Sequence, residues 1–120
     1  MDSKNTTHQD LYSGLIRLHI LHHAAEGEVF GLWMMEELGR HGYKLSAGTM
    51  YPLLHSLEKR GLLISTERQE GRRYRRLYRI TPAGRKALLE AKKKVRELFG
   101  ELFEHKHSTK RSKQMAPKRT

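Results

Sequence analysis

The spacing of apolar residues along the chain predicts four helices and one β-hairpin. The clearest helix lies in residues 46–64, SAGTMYPLLHSLEKRGLLI, where a 3.6-residue period puts the apolar positions on one face. These positions are Met50, Leu53, Leu54 and Leu57. Gly61 can end this helix in the left-handed conformation, and the apolar run after it indicates a strand. The region therefore predicts a helix that leads directly into a hairpin.

The opposite face of this helix has a different chemistry. It carries small, hydrogen-bonding and basic residues: Gly48, Tyr51, Pro52, His55 and Lys59. Such a surface suits a groove of nucleic acid. A proline is tolerated here because it lies near the first turn, whether Ser46 or Thr49 caps the helix. Because a helix amino terminus also favours phosphate oxygens, we interpret this helix as the one that reads nucleic acid, and call it the reading helix.

The first predicted helix covers residues 11–25, with Asp10 as its cap and a disordered segment over residues 1–9. It has two apolar stripes, and a helix with two apolar sides has two neighbours. One stripe holds Leu11, Leu15, Leu18 and Ala25, and the other holds Tyr12, Ile16, Ile20 and Ala24. We expect one neighbour to be the domain core and the other to be a long helix or a second copy of the chain.

A short strand over residues 29–31 and a second helix over residues 32–40 are predicted next. This helix buries Met34, Met35 and Leu38. Trp33 and the two methionines can also line a small-molecule pocket, although core filling is the interpretation that we favour. A turn that ends at Ser46 connects this helix to the reading helix, which gives a helix-turn-helix.

Three histidines of the first helix, His19, His22 and His23, have the i, i+3, i+4 spacing that can bring imidazoles together around a metal. The chain has no cysteine, and no acidic cluster accompanies the histidines in the sequence. His22 falls on the leucine stripe, where a packed, hydrogen-bonded histidine is the more common arrangement. The pattern favours structural histidines, and we predict neither a metal nor another cofactor.

The predicted hairpin is strongly basic. Its first strand covers residues 62–68, its turn residues 69–71 and its second strand residues 72–81. Five arginines lie within eight residues of the second strand: Arg72, Arg73, Arg75, Arg76 and Arg79. Guanidinium groups suit phosphates and narrow minor grooves. A solvated run of charge is the alternative, but beside a helix-turn-helix this hairpin predicts contact with DNA.

The last predicted helix covers residues 82–104 and opens on Thr81 as cap and Pro82 in the first turn. An apolar stripe with a seven-residue repeat runs along it: Leu88, Ala91, Val95, Leu98 and Leu102, widened by Phe99 and Phe103. Because the helix is longer than the small domain can cover, this stripe predicts a homodimer. The remaining residues, 105–120, are basic and are expected to be disordered.

Charge is the strongest signal in the composition of these 120 residues. The net charge is +11, with 24 basic and 13 acidic residues, and polyanions are natural partners for it. Residues 105–120 hold six of the bases and no acid, so residues 1–104 carry only +5. Solubility alone is the alternative explanation of this balance.

The remaining composition bounds the class of protein. One domain fits the length, and the absence of cysteine excludes disulfides and thiolate metal sites. No secretion signal and no membrane-spanning apolar run is present, so we expect a soluble, cytoplasmic protein. No paired carboxylates, activated nucleophile or phosphate-binding glycine loop appears, so we do not predict an enzyme or any catalytic residue.

Two stretches, GTMYPLLHSLEKRGLL and GRRYRRLYRITPAGRKAL, resemble the PadR family of transcriptional regulators. The resemblance covers residues 10–104. It implies a mainly α fold with a small β-hairpin (α+β), namely a winged helix-turn-helix plus a long dimerisation helix. It also implies a homodimer on a two-fold promoter site, and usually repression that a small effector relieves.

The resemblance also implies a domain organisation and a set of contacts. Residues 10–81 are the expected DNA-binding domain and residues 82–104 the dimerisation helix. Together with the exposed face of the reading helix, it predicts DNA contacts by Lys44, Ser46, Gly48, Thr49, Tyr51, Pro52, His55, Lys59, Arg72, Arg73, Arg75 and Arg76. Trp33, Phe99 and Phe103 are candidates for an effector site by position only. A basic dimeric module that binds RNA or an acidic protein is the alternative function.

Overall fold

The computed structural model describes residues 3–104, with side chains from residue 10 onward. Four helices and a small antiparallel sheet make up this part of the chain, in agreement with the predicted fold class. The elements are α1 (Ser3–Glu26), β1 (Val29–Phe30), α2 (Gly31–Arg40), α3 (Ala47–Lys59), β2 (Leu63–Glu70), β3 (Arg73–Ile80), α4 (Pro82–Phe99) and a π-helical segment (Gly100–Glu104). The predictions for residues 1–2 and for the tail at 105–120 lie outside the described residues.

The sheet has the order β1-β3-β2, with both pairings antiparallel. β1 pairs with β3 only at Val29–Tyr78 and Phe30–Leu77, while β2 and β3 pair along their whole length. Since Glu70 pairs with Arg73, the turn of the hairpin contains only residues 71–72. The predicted three-residue turn at 69–71 is therefore wrong. Gly71 has a φ of 63°, which permits this tighter turn.

The core lies between α1, α2, α3 and one face of the sheet. The predicted buried face of α3 is confirmed, with Met50, Leu54 and Leu57 at most 1% exposed. Of the two stripes on α1, the one with Ile16, Ile20 and Ala24 is buried, whereas Leu11 and Leu15 are exposed. The other core residues are Leu21, Met34, Leu38, Leu63, Tyr78 and Ile80.

The first helix begins earlier than the sequence predicted. Asp10 was the expected cap, with disorder before it, but α1 starts at Ser3. Residues 3–9 are polar and contain neither proline nor glycine, so nothing in them stops a helix from continuing upstream.

The reading helix, α3, starts without a side-chain cap. Ser46 occupies the N-cap position as predicted, but its hydroxyl donates to Thr49 Oγ1 at 3.4 Å and makes no cap bond to the backbone. The predicted serine cap is therefore wrong in its chemistry. The Ser46 carbonyl accepts instead, from the backbone N–H of Met50 at 2.8 Å.

The carboxyl end of α3 follows the prediction. Gly61 has a φ of 80°, and its N–H donates to the Glu58 carbonyl at 2.9 Å. The N–H of Leu62 donates to the Leu57 carbonyl at 3.0 Å. These two bonds define a Schellman motif, which turns the chain from α3 into β2.

The start of α4 also follows the prediction. The backbone N–H of Gly84 donates to Thr81 Oγ1 at 2.9 Å, so Thr81 caps the helix, and Pro82 is its first residue. The Thr81 hydroxyl in turn donates to the Gly61 carbonyl at 2.6 Å. This one side chain therefore joins the start of α4 to the end of α3.

By their contacts the residues form two compact units that divide within α4, between Leu88 and Leu89. In the second unit the predicted α-helix over residues 82–104 ends at Phe99 and continues as a π-helical segment from Gly100. Glycine weakens an α-helix, and the change of helix type begins at this residue. Among the described residues, no helix combines the length and the apolar character needed to cross a membrane.

Candidate nucleic-acid interface

The face of α3 that the sequence predicted for nucleic acid is exposed. Gly48, Tyr51, Pro52, His55 and Lys59 are all open to solvent, and Thr49 is half-buried. Lys44 and Ser46, in the loop before α3, are also exposed. The core packing of the opposite face fixes the rotation of the helix, so this polar face has a defined orientation in the domain.

A groove of about 370 Å³ lies between the amino-terminal part of α3 and the edge of β3. Ala47 and Tyr51 line it from α3, and Gly31, Leu32 and Met35 line it from α2. The strands contribute Phe30, Glu67, Arg73, Tyr74, Arg75 and Arg76. Because β1 pairs with only two residues of β3, the edge of β3 over residues 73–76 has no strand beside it on that side within the described part of the chain. This open edge places the basic strand opposite the reading helix.

The five arginines of residues 72–79 are not equivalent. Arg75 forms an ion pair with Glu70 at 3.1 Å and lies 4.0 Å above the centre of the Phe30 ring. Arg76 forms an ion pair with Glu67 at 3.4 Å, and Arg79 one with Glu28 at 3.3 Å. These three side chains are therefore oriented, and their charges are partly balanced.

Arg72 and Arg73 differ from their neighbours. Across residues 10–104, neither guanidinium has an ion pair or a side-chain hydrogen bond. Both lie at the turn of the hairpin and are exposed. Among the five arginines of residues 72–79, these two carry the charges most available to an external anion.

A hydrogen-bonded chain links the carboxyl end of α3 to the hairpin. Ser65 donates to Glu58 Oε2 at 2.7 Å, and Arg76 donates to Ser65 Oγ at 2.9 Å. The sequence predicted Arg76 only as a DNA contact. In the structure it also helps to hold the hairpin against the reading helix.

Sequence reasoning missed several residues that shape this surface. Phe30 was assigned only to a short strand, yet its ring supports Arg75. Glu28, which follows the end of α1, reaches both Arg79 and, at 3.6 Å, Arg68. The sequence shows that Glu28 is an acidic residue at a helix break, but it does not show its partners, Arg68 and Arg79, which are far away along the chain.

A second group of polar side chains, a histidine cluster, lies where α1 packs beside α2. His19 and His23 of α1 meet His41, which follows the last residue of α2, and Glu37 of α2 lies beside them. Burial and the neighbouring His41 lower the pKa of His19. The hydrogen bond from Arg40 lowers the pKa of Glu37, so this carboxylate is ionised at neutral pH.

The prediction for His22 is wrong, because its side chain is 55% exposed and it is His23, at 10%, that is buried. The sequence shows no acidic cluster next to these histidines, but in the structure Glu37 of α2 lies beside them, with its Oε2 atom 3.7 Å from His23 Nε2. The ring of Trp33, an effector candidate, forms a T-shaped contact with the ring of His23, with the centroids 5.6 Å apart.

The residues predicted at the dimer interface have mixed environments. Leu88 is half-buried against the core of the first unit, and Ala91 is also half-buried. The others are exposed: Val95, Leu98, Phe99, Leu102 and Phe103. In the second unit the rings of Phe99 and Phe103 contact each other, with centroids 5.0 Å apart.

This combination of a helix-turn-helix, an arginine-rich hairpin and a small three-stranded sheet defines a winged helix, in which β2 and β3 form the wing. Residues 20–90 match the model of the transcriptional regulator PadR-like family. The chain belongs to this family, whose members bind DNA as transcriptional regulators, typically as dimers, and are not typically enzymes.

Relatives and solved structures agree with this assignment. The chain is 56% identical over 88 residues to the transcriptional regulator Rv3488 of Mycobacterium tuberculosis, a match that covers 73% of this chain and 82% of that protein. The crystal structure of a PadR family regulator from Eggerthella lenta is similar, with a TM-score of 0.72, 29% identity, and coverage of 84% of this chain and 89% of that one. A PadR-like regulator from Bacillus cereus gives a TM-score of 0.70 and 27% identity, over 78% and 92% of the two chains.

Proposed function

We propose that this regulator binds a two-fold promoter site as a homodimer and represses transcription from it. The observation that carries the proposal is the groove shared by Tyr51 of the reading helix and Arg73 of the wing. A base-reading side chain and an unpaired guanidinium on opposite walls of one groove can contact one DNA duplex together.

The reading helix would enter the major groove with its amino-terminal end foremost. Its first turn lacks a side-chain cap, and the backbone N–H of Thr49 donates to the Ser46 carbonyl at 3.0 Å. Within the described part of the chain, this leaves the backbone N–H groups of Ala47 and Gly48 for a phosphate. Tyr51, His55 and Lys59 are the side chains placed to contact base edges, with Lys44, Ser46, Gly48, Thr49 and Pro52 close to the sugar-phosphate strand. The wing would add phosphate or minor-groove contacts, mainly through Arg72 and Arg73.

The exposed apolar residues support the homodimer. Leu11 and Leu15 of α1 are 71% and 46% exposed, and Leu98 and Phe99 of α4 are 52% and 51% exposed. Large exposed apolar surfaces are typical of protein interfaces. Two copies related by a two-fold axis would present two reading helices to one duplex, and a bound dimer on a promoter would block polymerase access.

Selection of genomic fragments that the full chain binds, followed by footprinting, tests this function. We expect two protected half-sites whose centres are about 34–36 Å apart, one helical turn of DNA. A footprint without two-fold symmetry would contradict the geometry. Preference for double-stranded RNA over the selected DNA would favour the alternative module, because the deep, narrow major groove of RNA excludes a helix. Transcription in vitro from the selected promoter then tests repression.

Sedimentation at micromolar concentration tests the dimer. We expect the unmodified chain to sediment as a dimer, and Leu98→Glu, which places a charge in the apolar stripe, to sediment as a folded monomer. Lys93→Glu is the matched control, since residue 93 falls opposite the stripe in the seven-residue repeat. A folded monomer in the unmodified protein would overturn the dimer.

A further inference from the structure

The histidine cluster has the geometry of a metal site. One ring nitrogen from each of His19, His23 and His41 lies within 4.8 Å of the other two. The rings of His19 and His41 are stacked with centroids 4.8 Å apart, and His23 lies 6.1 Å from each. Three imidazole nitrogens on one tetrahedral Zn²⁺ are about 3.3 Å apart, since each Zn–N bond is about 2.0–2.1 Å. Small side-chain rotations would bring these three to that spacing.

His23 is the most informative member of the cluster. Its side chain is only 10% exposed, and its Nε2 atom is buried without a hydrogen-bond partner in the described part of the chain. The same atom lies 3.7 Å from Glu37 Oε2, which in turn lies 3.1 Å from His41 Nε2. A buried, unpartnered imidazole nitrogen costs stability, and a cation between these groups would satisfy it.

We propose that His19, His23 and His41 bind one divalent transition-metal ion of the Zn²⁺, Co²⁺ or Ni²⁺ class, with the Glu37 carboxylate as a fourth ligand or as an acceptor from His41. Neutral imidazole is a ligand for these borderline ions, whereas Mg²⁺ and Ca²⁺ require oxygen ligands. The negative charge of Glu37 also balances part of the charge of the ion.

Glu26 completes the surroundings of the site. Its Oε1 atom lies 3.7 Å from Nδ1 of His23, on the opposite side of the ring from Nε2. Metal-binding histidines commonly donate their second ring N–H to a carboxylate, which fixes the tautomer that binds the metal. His23 therefore has an acceptor placed for Nδ1 while Nε2 faces the cluster.

A second group of possible metal ligands also contains His23 and has to be distinguished from the first. His22, His23 and Glu26 also have ligand atoms within 4.8 Å of one another. However, the His22 and Glu26 side chains are 55% and 64% exposed, and this set leaves Nε2 of His23 unsatisfied. We therefore assign the site to the set that contains His41.

Titration of the full, untagged chain with Zn²⁺ in competition with a chromophoric chelator tests the proposal. We expect one ion per chain, and the visible spectrum of the Co²⁺ form should show the intense absorption of tetrahedral coordination. His41→Gln and His19→Gln should each weaken Zn²⁺ binding at least about tenfold. Residue 41 is exposed and lies outside the core, so its variant should keep the circular dichroism of the folded protein.

Two control variants make the assignment specific. His55→Gln changes an exposed histidine on the reading helix, and His105→Gln with His107→Gln removes the histidines of the tail; both should bind Zn²⁺ as the unmodified chain does. His22→Gln should also leave binding unchanged. Loss of binding in His22→Gln but not in His41→Gln would overturn the assignment, as would the absence of stoichiometric binding by Zn²⁺, Co²⁺ and Ni²⁺.

Discussion

Tyr51 of the reading helix lies directly against the backbone of Gly31, the first residue of α2. A Cβ atom at residue 31 would lie 2.8 Å from Tyr51 Cε1 and 2.9 Å from its hydroxyl oxygen. Side chains do not approach a Cβ so closely, so only glycine leaves room for the ring in this position. The start of α2 therefore helps to set the direction in which Tyr51 points.

We predict that Gly31→Ala weakens binding to the selected DNA site by about 1–3 kcal/mol while the domain stays folded. The added methyl group displaces the ring of Tyr51, and a hydrogen-bonded base edge is worth about this much. Since the ring is 39% exposed, it can move outward without opening the core. Fluorescence anisotropy with specific and scrambled duplexes measures the fall in preference.

Gly39→Ala is the control for this substitution. It makes the same chemical change in the same helix, at a position where a Cβ atom would meet nothing within 4 Å. Its DNA affinity should equal that of the unmodified chain. If both variants bind the selected site equally weakly, Tyr51 is not the cause.

The unpaired arginines of the wing should control the salt dependence of binding. For Arg72→Ala combined with Arg73→Ala, the slope of log affinity against log salt should fall by up to about 0.9 for each phosphate that the wing no longer neutralises. Arg79→Ala removes a charge of the same kind from the same strand, but that charge is paired with Glu28, so its slope should change less. An equal change per arginine removed would indicate that net charge, and not the position of the arginines, determines the slope.

The hydroxyl of Thr81 should contribute measurably to stability. Thr81→Val removes both the cap bond from Gly84 and the bond to the Gly61 carbonyl, and we expect the free energy of unfolding to fall by about 1–2 kcal/mol. Thr81→Ser keeps the hydroxyl and should be destabilised much less. Urea denaturation of both variants at one protein concentration gives the comparison, and equal or greater destabilisation of Thr81→Ser would contradict the assignment of this stability to the hydroxyl.

The features predicted correctly from the sequence are those that depend on neighbouring residues. The buried face of α3 follows from helical spacing, its end follows from Gly61, and the start of α4 follows from Thr81 and Pro82. Each of these depends on a few consecutive residues, whose types are sufficient to select the local conformation.

The features that sequence reasoning missed depend on residues far apart in the chain. The pair of Glu28 and Arg79 spans 51 residues, and the approach of Phe30 to Arg75 follows from the strand order. The wrong prediction that His22, and not His23, is packed also results from contacts between distant parts of the chain. Adjacent positions on a helix point about 100° apart, and only the packing of α1 decides which one faces the core.

Metal binding should stabilise the folded chain in a way that depends on His41. Free Zn²⁺ at 100 times its dissociation constant should raise the free energy of unfolding by about 2.7 kcal/mol, provided that the unfolded chain does not bind it. His41→Gln should lack this increment, and His55→Gln should keep it, since residue 55 lies on the exposed face of α3. Chemical denaturation at a fixed protein concentration, with Zn²⁺ and with a chelator, measures the increment. Because His19 and His23 belong to α1 and His41 follows α2, the ion would join these two helices just before the loop that leads to the reading helix. An equal increment in His41→Gln would place the bound metal elsewhere and remove this connection.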